Sequence, residues 1–307
     1  MDSVSLMSEY DKEAIDKFRL SGKILRETRE EMKGFVREGM PIIEVCEKAE
    51  GLIKKKGGKP AFPCNVSINE IAAHYTSPPN DEKRIPENSL VKVDIGVHVD
   101  GYVTDTAVTV CFNSEHRSLV EAAERALKAA IENMQPGVLT SKIGTIIEDT
   151  IKSRGFKPIS NLCGHQIGRY IIHTGTSIPN VSQLSFSKVR LGGVYAIEPF
   201  VTLPDAAGKV ENGEESTIFR FLKSRSMKNP HAKQLLRYIE DNFSTLPFAE
   251  RWLQGIVSEE HHRDAFHDLL SSKALMDYPI FVEVSRRTVA QAEHTVMVVK
   301  DGCVVLT

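Results

Sequence analysis

Two aspartates stand in the stretch KVDIGVHVDGYVTD, residues 92–105. Alternating Val and Ile on both sides of Asp100-Gly101 predict a β-hairpin closed by a two-residue turn. Counting outward from the turn pairs Val99 with Tyr102, Val97 with Thr104 and Gly96 with Asp105. Asp94 then shares a face with Asp105, one diagonal step away and within side-chain reach. Gly96, having no side chain, is expected to leave open space between the two carboxyl groups. Carboxylates held together on a rigid sheet repel each other unless something positive sits between them. One or two hard divalent cations would meet that need. For two aspartates alone, a solvated outer hairpin face is the competing account.

Three further motifs add acids and imidazoles. GHQIGRYIIH carries His165, flanked by glycines that allow close backbone approach, and His173. AIEPF supplies Glu198, and QAEHT supplies Glu293 at the head of the last hairpin. A single His or Glu in such a place is most often structural. Asp94, Asp105, His165, Glu198 and Glu293 together form an anionic, oxygen-rich set. That set suits Mn, Fe, Co or Zn better than a thiolate-bound structural metal, and its charge is enough for two divalent ions.

These side chains need a frame. Residues 9–33 are helical in period, with Ile15, Phe18, Leu25 and Met32 near one stripe. Pro41 opens a second helix, whose lysines precede Gly57-Gly58 as expected at a helix C-terminus. That basic run therefore reads as helix punctuation rather than a binding patch. Further helices are expected near 115–134 and 140–154. An internal echo runs through the chain: Gly39, Glu50, Ile53, Lys54 and Gly57 recur 98 residues on as Gly137, Glu148, Ile151, Lys152 and Gly155. One residue of slippage later, Cys64, Ile68 and His74 recur as Cys163, Ile167 and His173. LVKVDIG at 90–96 parallels VYAIEPF at 194–200, which puts Glu198 where Asp94 stands. The echo predicts two similar α+β halves about a pseudo-twofold axis, each giving an acid and a histidine to one cleft. Residues 217–278 change to amphipathic helical texture and are expected to form a helical insertion in a domain of residues 1–216 and 279–307. His231, His261, His262 and His267 fall on its polar positions and read as solvated helix residues rather than a metal tract.

Composition bounds the rest. The chain has 307 residues, 41% apolar and 26% charged, with net charge −2. So even a balance argues against a nucleic-acid binder that works by bulk electrostatics. No apolar run is long enough to span a bilayer, and the first residues lack a signal-peptide pattern. The 5 cysteines are scattered and without CxxC spacing, which fits free thiols in a reducing cytoplasm.

In their order, KVDIGVHVDGYVTD, GHQIGRYIIH, AIEPF and QAEHT resemble the motifs of the methionine aminopeptidases, metalloenzymes of the pita-bread fold. AFPCNVSINEIAAHY and the helical insertion resemble the type II subclass, in its short, archaeal-like form. The resemblance covers residues 10–307 and implies a metal-dependent aminopeptidase with two divalent ions. It implies that Asp94 chelates the first ion, that Asp105 and Glu293 bridge both, and that His165 and Glu198 hold the second. It places His74 and His173 against the substrate, and Phe62, Ile172 and Tyr278 around a methionine pocket. Where some type II members have a further histidine near the pocket, this chain reads EESTIFRF. The implied substrate is the N-terminal peptide of nascent proteins, cleaved by a cytoplasmic monomer with the ribosome as a candidate partner, and with no specific nucleic acid or membrane. Prolidases share the fold and the five ligands but usually carry a large extra N-terminal domain and lack the insertion. Non-catalytic pita-bread binding proteins lose metal ligands that this sequence keeps.

Overall fold

The computed structural model describes residues 10–307, so residue 9 of the first expected helix lies outside the described residues. The first half of the chain runs through α1 (Lys12–Phe35), α2 (Ile42–Lys55), β1 (Lys59–Ile68), β2 (Ile71–Ala73), β3 (Leu90–Val99) and β4 (Tyr102–Cys111). The second half follows with α3 (Arg117–Glu132), α4 (Thr140–Lys152), β5 (Lys157–Pro158), β6 (Cys163–Ile167), β7 (Ser177–Pro179), β8 (Val194–Ile197) and β9 (Phe200–Thr202). Next come β10 (Val210–Phe221), α5 (Pro230–Phe243), β11 (Pro247–Ala249), α6 (Glu259–Ser271) and β12 (Leu275–Glu283). The chain closes with β13 (Val289–Gln291), β14 (Glu293–Val299) and β15 (Gly302–Val305).

The main sheet has the order β1-β3-β4-β14-β8-β6-β7, with β15 paired to β14. Read from its middle, β4-β3-β1 on one side answers β14-β8-β6 on the other. The two halves join where Glu293 pairs Ala107 and His294 pairs Thr106. That is the duplication the sequence echo predicts. Gly39, Gly57, Gly137 and Gly155 all hold left-handed φ values between 76° and 88°, so the repeated glycines end equivalent turns. The basic residues Lys54 and Lys55 fill the last turn of α2, as expected of a helix terminus.

Each half buries one stripe of its helices on the outer face of the sheet. Ile24, Leu25 and Met32 of α1 and Val45 and Ile53 of α2 share a core with Val91, Val93, Ile95 and Val97 of β3. In the second half, Leu119, Ala123, Ile143 and Ile147 pack with Tyr195, Ile197 and Val296. Alternation along β3 then turns Asp94 and Gly96 to the opposite, inner face.

Register along the central hairpin follows the predicted pairs, with Val99 opposite Tyr102, Val97 opposite Thr104 and Gly96 opposite Asp105. The space above Gly96 is not open, however. Phe62 of β1 pairs with Gly96, and a Cβ at Gly96 would fall inside the Phe62 ring. The glycine admits an aromatic wall, so the expected gap between the carboxyl groups is corrected.

Residues 217–278 also differ from the helical texture expected of them. The strand β10 continues to Phe221, β12 begins at Leu275, and β11 lies between the two helices. These strands and β2 form a sheet in the order β11-β10-β12-β2. Both faces of this sheet are covered, which masks the period-two signal. Phe219 enters a core with Leu235, Leu236 and Ile239 of α5 and Ala265, Phe266 and Leu269 of α6. Ile218 points the other way, toward the inner cavity. Pairing of β12 with β2 ties this unit to the first half.

A buried charge cluster reinforces that tie. Glu50 of α2 accepts from the Arg251 guanidinium, from Trp252 Nε1 at 2.7 Å and from the Cys64 backbone N–H at 3.1 Å. Arg251 also donates to Thr76 Oγ1 and to the Ser77 carbonyl, each at 2.9 Å. Removing one member of such a pair strands the other charge in the interior. Glu50→Ala should therefore lose about 3–5 kcal/mol of unfolding free energy, read by denaturant melting. A loss below about 1 kcal/mol, the worth of an exposed pair, would contradict this role.

Candidate metal centre

Asp94 projects from β3, Asp105 from β4, His165 from β6 and Glu293 from the first position of β14. Glu198 stands in the short turn between β8 and β9. Close strand contact makes this convergence possible: a Cβ at Gly164, beside His165, would clash with the Ala196 carbonyl of β8. The structure brings these five residues, with His74, His173, Phe62, Ile172 and Tyr278, to one cavity of about 550 Å³ including its open mouth.

Asp105, His165 and Glu293 are gathered most tightly, each offering a ligand atom within 4.8 Å of the others. His165 Nε2 lies 3.7 Å from Asp105 Oδ2 and 3.6 Å from Glu198 Oε1. Its Nδ1 is 2.8 Å from the Ile172 carbonyl. A carbonyl can only accept, so Nδ1 carries the proton and Nε2 turns a lone pair into the cluster. Burial, helped by the neighbouring His173, drives the His165 pKa well below the ordinary histidine value.

The carboxyl groups move the opposite way. Burial pushes Asp94 up to about 7. Burial also raises Asp105 well above its usual range, and the charge of Asp94 adds to the shift. Glu198 is raised by burial, then by Asp105 and Asp94. Glu293 is raised by burial, then by Asp105, Glu198 and Asp94. Asp94 Oδ1 and Asp105 Oδ1 are buried with no hydrogen-bond donor. Four carboxyl groups, one neutral imidazole lone pair and orphaned buried acceptors together fit divalent cations.

Several positioning residues were not singled out from the sequence. Thr295 Oγ1 accepts from the Asp105 backbone N–H at 2.7 Å and donates to the Asp105 carbonyl at 2.8 Å. Thr106 Oγ1 donates to the Glu293 carbonyl at 2.7 Å. Gln291 Nε2 donates to Glu293 Oε2 at 3.4 Å. Asn65 of β1 faces Asp94 in register and lines the cavity. Gln291 was legible in principle, standing two residues before Glu293, although it closes β13 and Glu293 opens β14. Asn65 becomes visible only once β1 is paired to β3.

The two other histidines stand at the cavity wall. His74 adopts φ 68°, a left-handed backbone that costs a non-glycine residue about 1–2 kcal/mol. Its Nδ1 is 3.3 Å from the Pro279 carbonyl, so Nε2 is the free acceptor. Burial lowers its pKa to about 4, leaving the ring neutral near pH 7. Phe281 and Tyr278 flank it at ring distances of 4.4 and 5.7 Å. His173 is exposed at the mouth, its ring 4.2 Å from that of His165. Ala73, Ile218 and Pro247 complete the wall, so Ile218 is the residue that EESTIFRF sends inward.

The profile of metallopeptidase family M24 matches residues 16–300. A methionine aminopeptidase of Methanothermobacter thermautotrophicus is 43% identical over 296 residues, covering 95% of this chain and 98% of its own. Among solved structures, a thermophilic Arx1 superposes with TM-score 0.82 at 18% identity, covering 97% of this chain and 91% of its own. A methionine aminopeptidase of Thermotoga maritima superposes with TM-score 0.71 at 23% identity, covering 98% of this chain and 99% of its own.

Chelated protein should carry the signature of these crowded acids. Asp94 holds its proton to about 7 when folded, against 3.8 ordinarily, so the folded state binds protons that the unfolded chain has released. Stability must then fall as pH rises through that window. In EDTA the melting temperature should drop as pH rises from about 6.5, above which the lowered histidines are neutral folded or unfolded, through about 7, and a restored divalent ion should flatten the slope. A pH-independent melting temperature in EDTA would contradict the geometry.

Proposed function

The chain belongs to metallopeptidase family M24, among its methionine aminopeptidases, and from that premise we propose that it removes N-terminal methionine from nascent chains whose second residue is small. The observation that carries the reading is the single cavity in which four carboxyl groups and His165 adjoin an apolar slot. Asp94, Asp105 and Glu293 would hold a first divalent ion, and Asp105, His165, Glu198 and Glu293 a second, with Asp105 and Glu293 serving both. Bound there, Co, Mn, Fe or Zn would supply Lewis acidity of the kind that lowers the pKa of water and polarises a carbonyl.

The chain's own residues orient the rest. Phe62, Ile172 and Tyr278 wall an apolar slot suited to an unbranched side chain, with Ile218 beside them. His74, neutral and fixed through Nδ1, presents Nε2 as an acceptor to the N–H of the scissile amide. His173 at the mouth donates to the developing oxyanion, and the pair pass protons. Every one of these groups comes from one chain, which is consistent with a working monomer. The cytoplasm, where new N-termini emerge, is the proposed compartment.

Peptide assays test this reading directly. Met-Ala and Met-Gly peptides should be cleaved well, and peptides with Leu, Lys or Arg second should be cleaved poorly. Norleucine should replace methionine within about 10–200-fold, the span of one methylene in such a slot. Faster release from Ala-Pro peptides would favour a prolidase instead. Asp105→Asn should stay folded, lose most turnover and release at least one ion. Full occupancy with near-normal turnover would sink the bridging role.

The histidines separate by a different measurement. His74→Ala and His173→Ala should each lower kcat and kcat/KM together by on the order of 10²-fold while metal content stays near normal. A lower melting temperature with unchanged turnover per folded molecule would mean that they only support packing.

A further inference from the structure

Arg220 occupies β10 two residues beyond Ile218, so it shares the strand face that looks onto the cavity. Across the ladder Ile218 pairs with Tyr278 and Arg220 with Met276, which continues the cavity wall outward. Desolvation lowers the His173 pKa and the charge of Arg220 lowers it further. Desolvation raises the Tyr278 pKa, and the same charge opposes that rise. On β10 the guanidinium thus follows the wall residue Ile218, in the neighbourhood of His173 and Tyr278, which line the cavity.

Its hydrogen bonding is incomplete. Arg220 Nε is buried with no acceptor, and the side chain's recorded contact is one Nη2 donation to the Met276 sulfur at 3.9 Å. Among the described residues no carboxylate pairs with it, whereas Arg251, also in this unit, is paired with Glu50. A partly desolvated guanidinium with idle donors is unfavourable unless a ligand completes it. Its planar fork matches a carboxylate.

We propose that Arg220 is a specificity-determining residue that receives a carboxylate of the substrate chain downstream of the scissile bond. The inference rests on the aminopeptidase reading and names a substrate class within it: N-terminal peptides with an acidic group shortly after the small second residue. His165 belongs to the metal cluster, the His173 ring lies 4.2 Å from the His165 ring, and Arg220 follows the wall residue Ile218 by two positions on β10. An extended substrate advances about 3.3 Å per residue, and the inference places its third or fourth residue at the guanidinium. An acidic side chain and the free C-terminus of a very short peptide offer the same chemistry.

The metal-loaded enzyme would be assayed on C-terminally amidated Met-Ala-Xaa-Gly peptides, with Xaa Glu, Gln or Lys, and on Met-Ala-Ala as free acid and as amide. The inference expects a Glu/Gln ratio in kcat/KM on the order of tenfold, with Lys below Gln. A preference confined to the free acid of Met-Ala-Ala would assign Arg220 to C-terminal carboxylates rather than side chains. Arg220→Met should bring the ratio to about one, and Arg220→Lys should restore part of it, which a role only in strand packing would not do. A wild-type ratio near one in both peptide pairs overturns the inference even if neither variant folds. So does a ratio that survives in Arg220→Met. Failure to release methionine from any peptide, neutral ones included, would instead overturn the aminopeptidase reading.

Discussion

Four carboxyl groups and a histidine occupy one desolvated volume, and their mutual repulsion is the constraint that the surrounding structure answers. Isolated charges in such a place would take up protons, and the raised Asp94, Asp105, Glu198 and Glu293 show that tendency. Only a stiff support can keep Asp105, His165 and Glu293 within 4.8 Å of one another with Asp94 and Glu198 in the same cavity. Here the support is a sheet packed on its outer face by four helices. Threonine hydroxyls fix the backbone at Asp105 and Glu293. Cations turn the same crowding into favourable binding, so the feature that strains the metal-free fold is the one that gives the site its chemistry.

Duplication explains how such a site could be assembled from ordinary parts. Each half contributes a helix pair and three strands, and the acids converge where the halves meet along β4 and β14. A pseudo-twofold frame presents inner faces from both sides to one cleft, so no long loop is needed to carry a ligand. The apolar side of the cavity lacks that symmetry. Its walls include Ile218, Pro247 and Tyr278 from the unit built on β10 and β12. On the proposed reading, metal chemistry resides in the repeat, and selection of the side chain depends partly on the added unit.

Much of this was legible in the residues. Val and Ile alternation fixed the β3–β4 register because a one-residue slip would turn every buried side chain outward. The echo of glycines and acids predicted the paired halves, since left-handed turns restrict what can replace glycine. Other features were not legible. The space at Gly96 belongs to Phe62, which comes from a strand distant in sequence. The strands of the added unit were read as helix because Phe219 and Phe221 face one layer and Ile218 another, so both faces carry apolar residues. Thr295, Thr106 and Asn65 became visible as supports only through pairings across strands. Arg220 was not singled out from the sequence, and its idle donors appear only in three dimensions.

The central claim is that the anionic cluster exists to hold divalent ions through oxygen and imidazole nitrogen. X-ray absorption on stoichiometrically loaded protein, joined to a metal count, tests it most directly. The account predicts two equivalents per chain and a first shell of oxygen and nitrogen without sulfur. Cys163, the thiol at the start of β6 two residues before His165, should not enter that shell. Less than one equivalent bound, or sulfur among the nearest scatterers, would contradict the account.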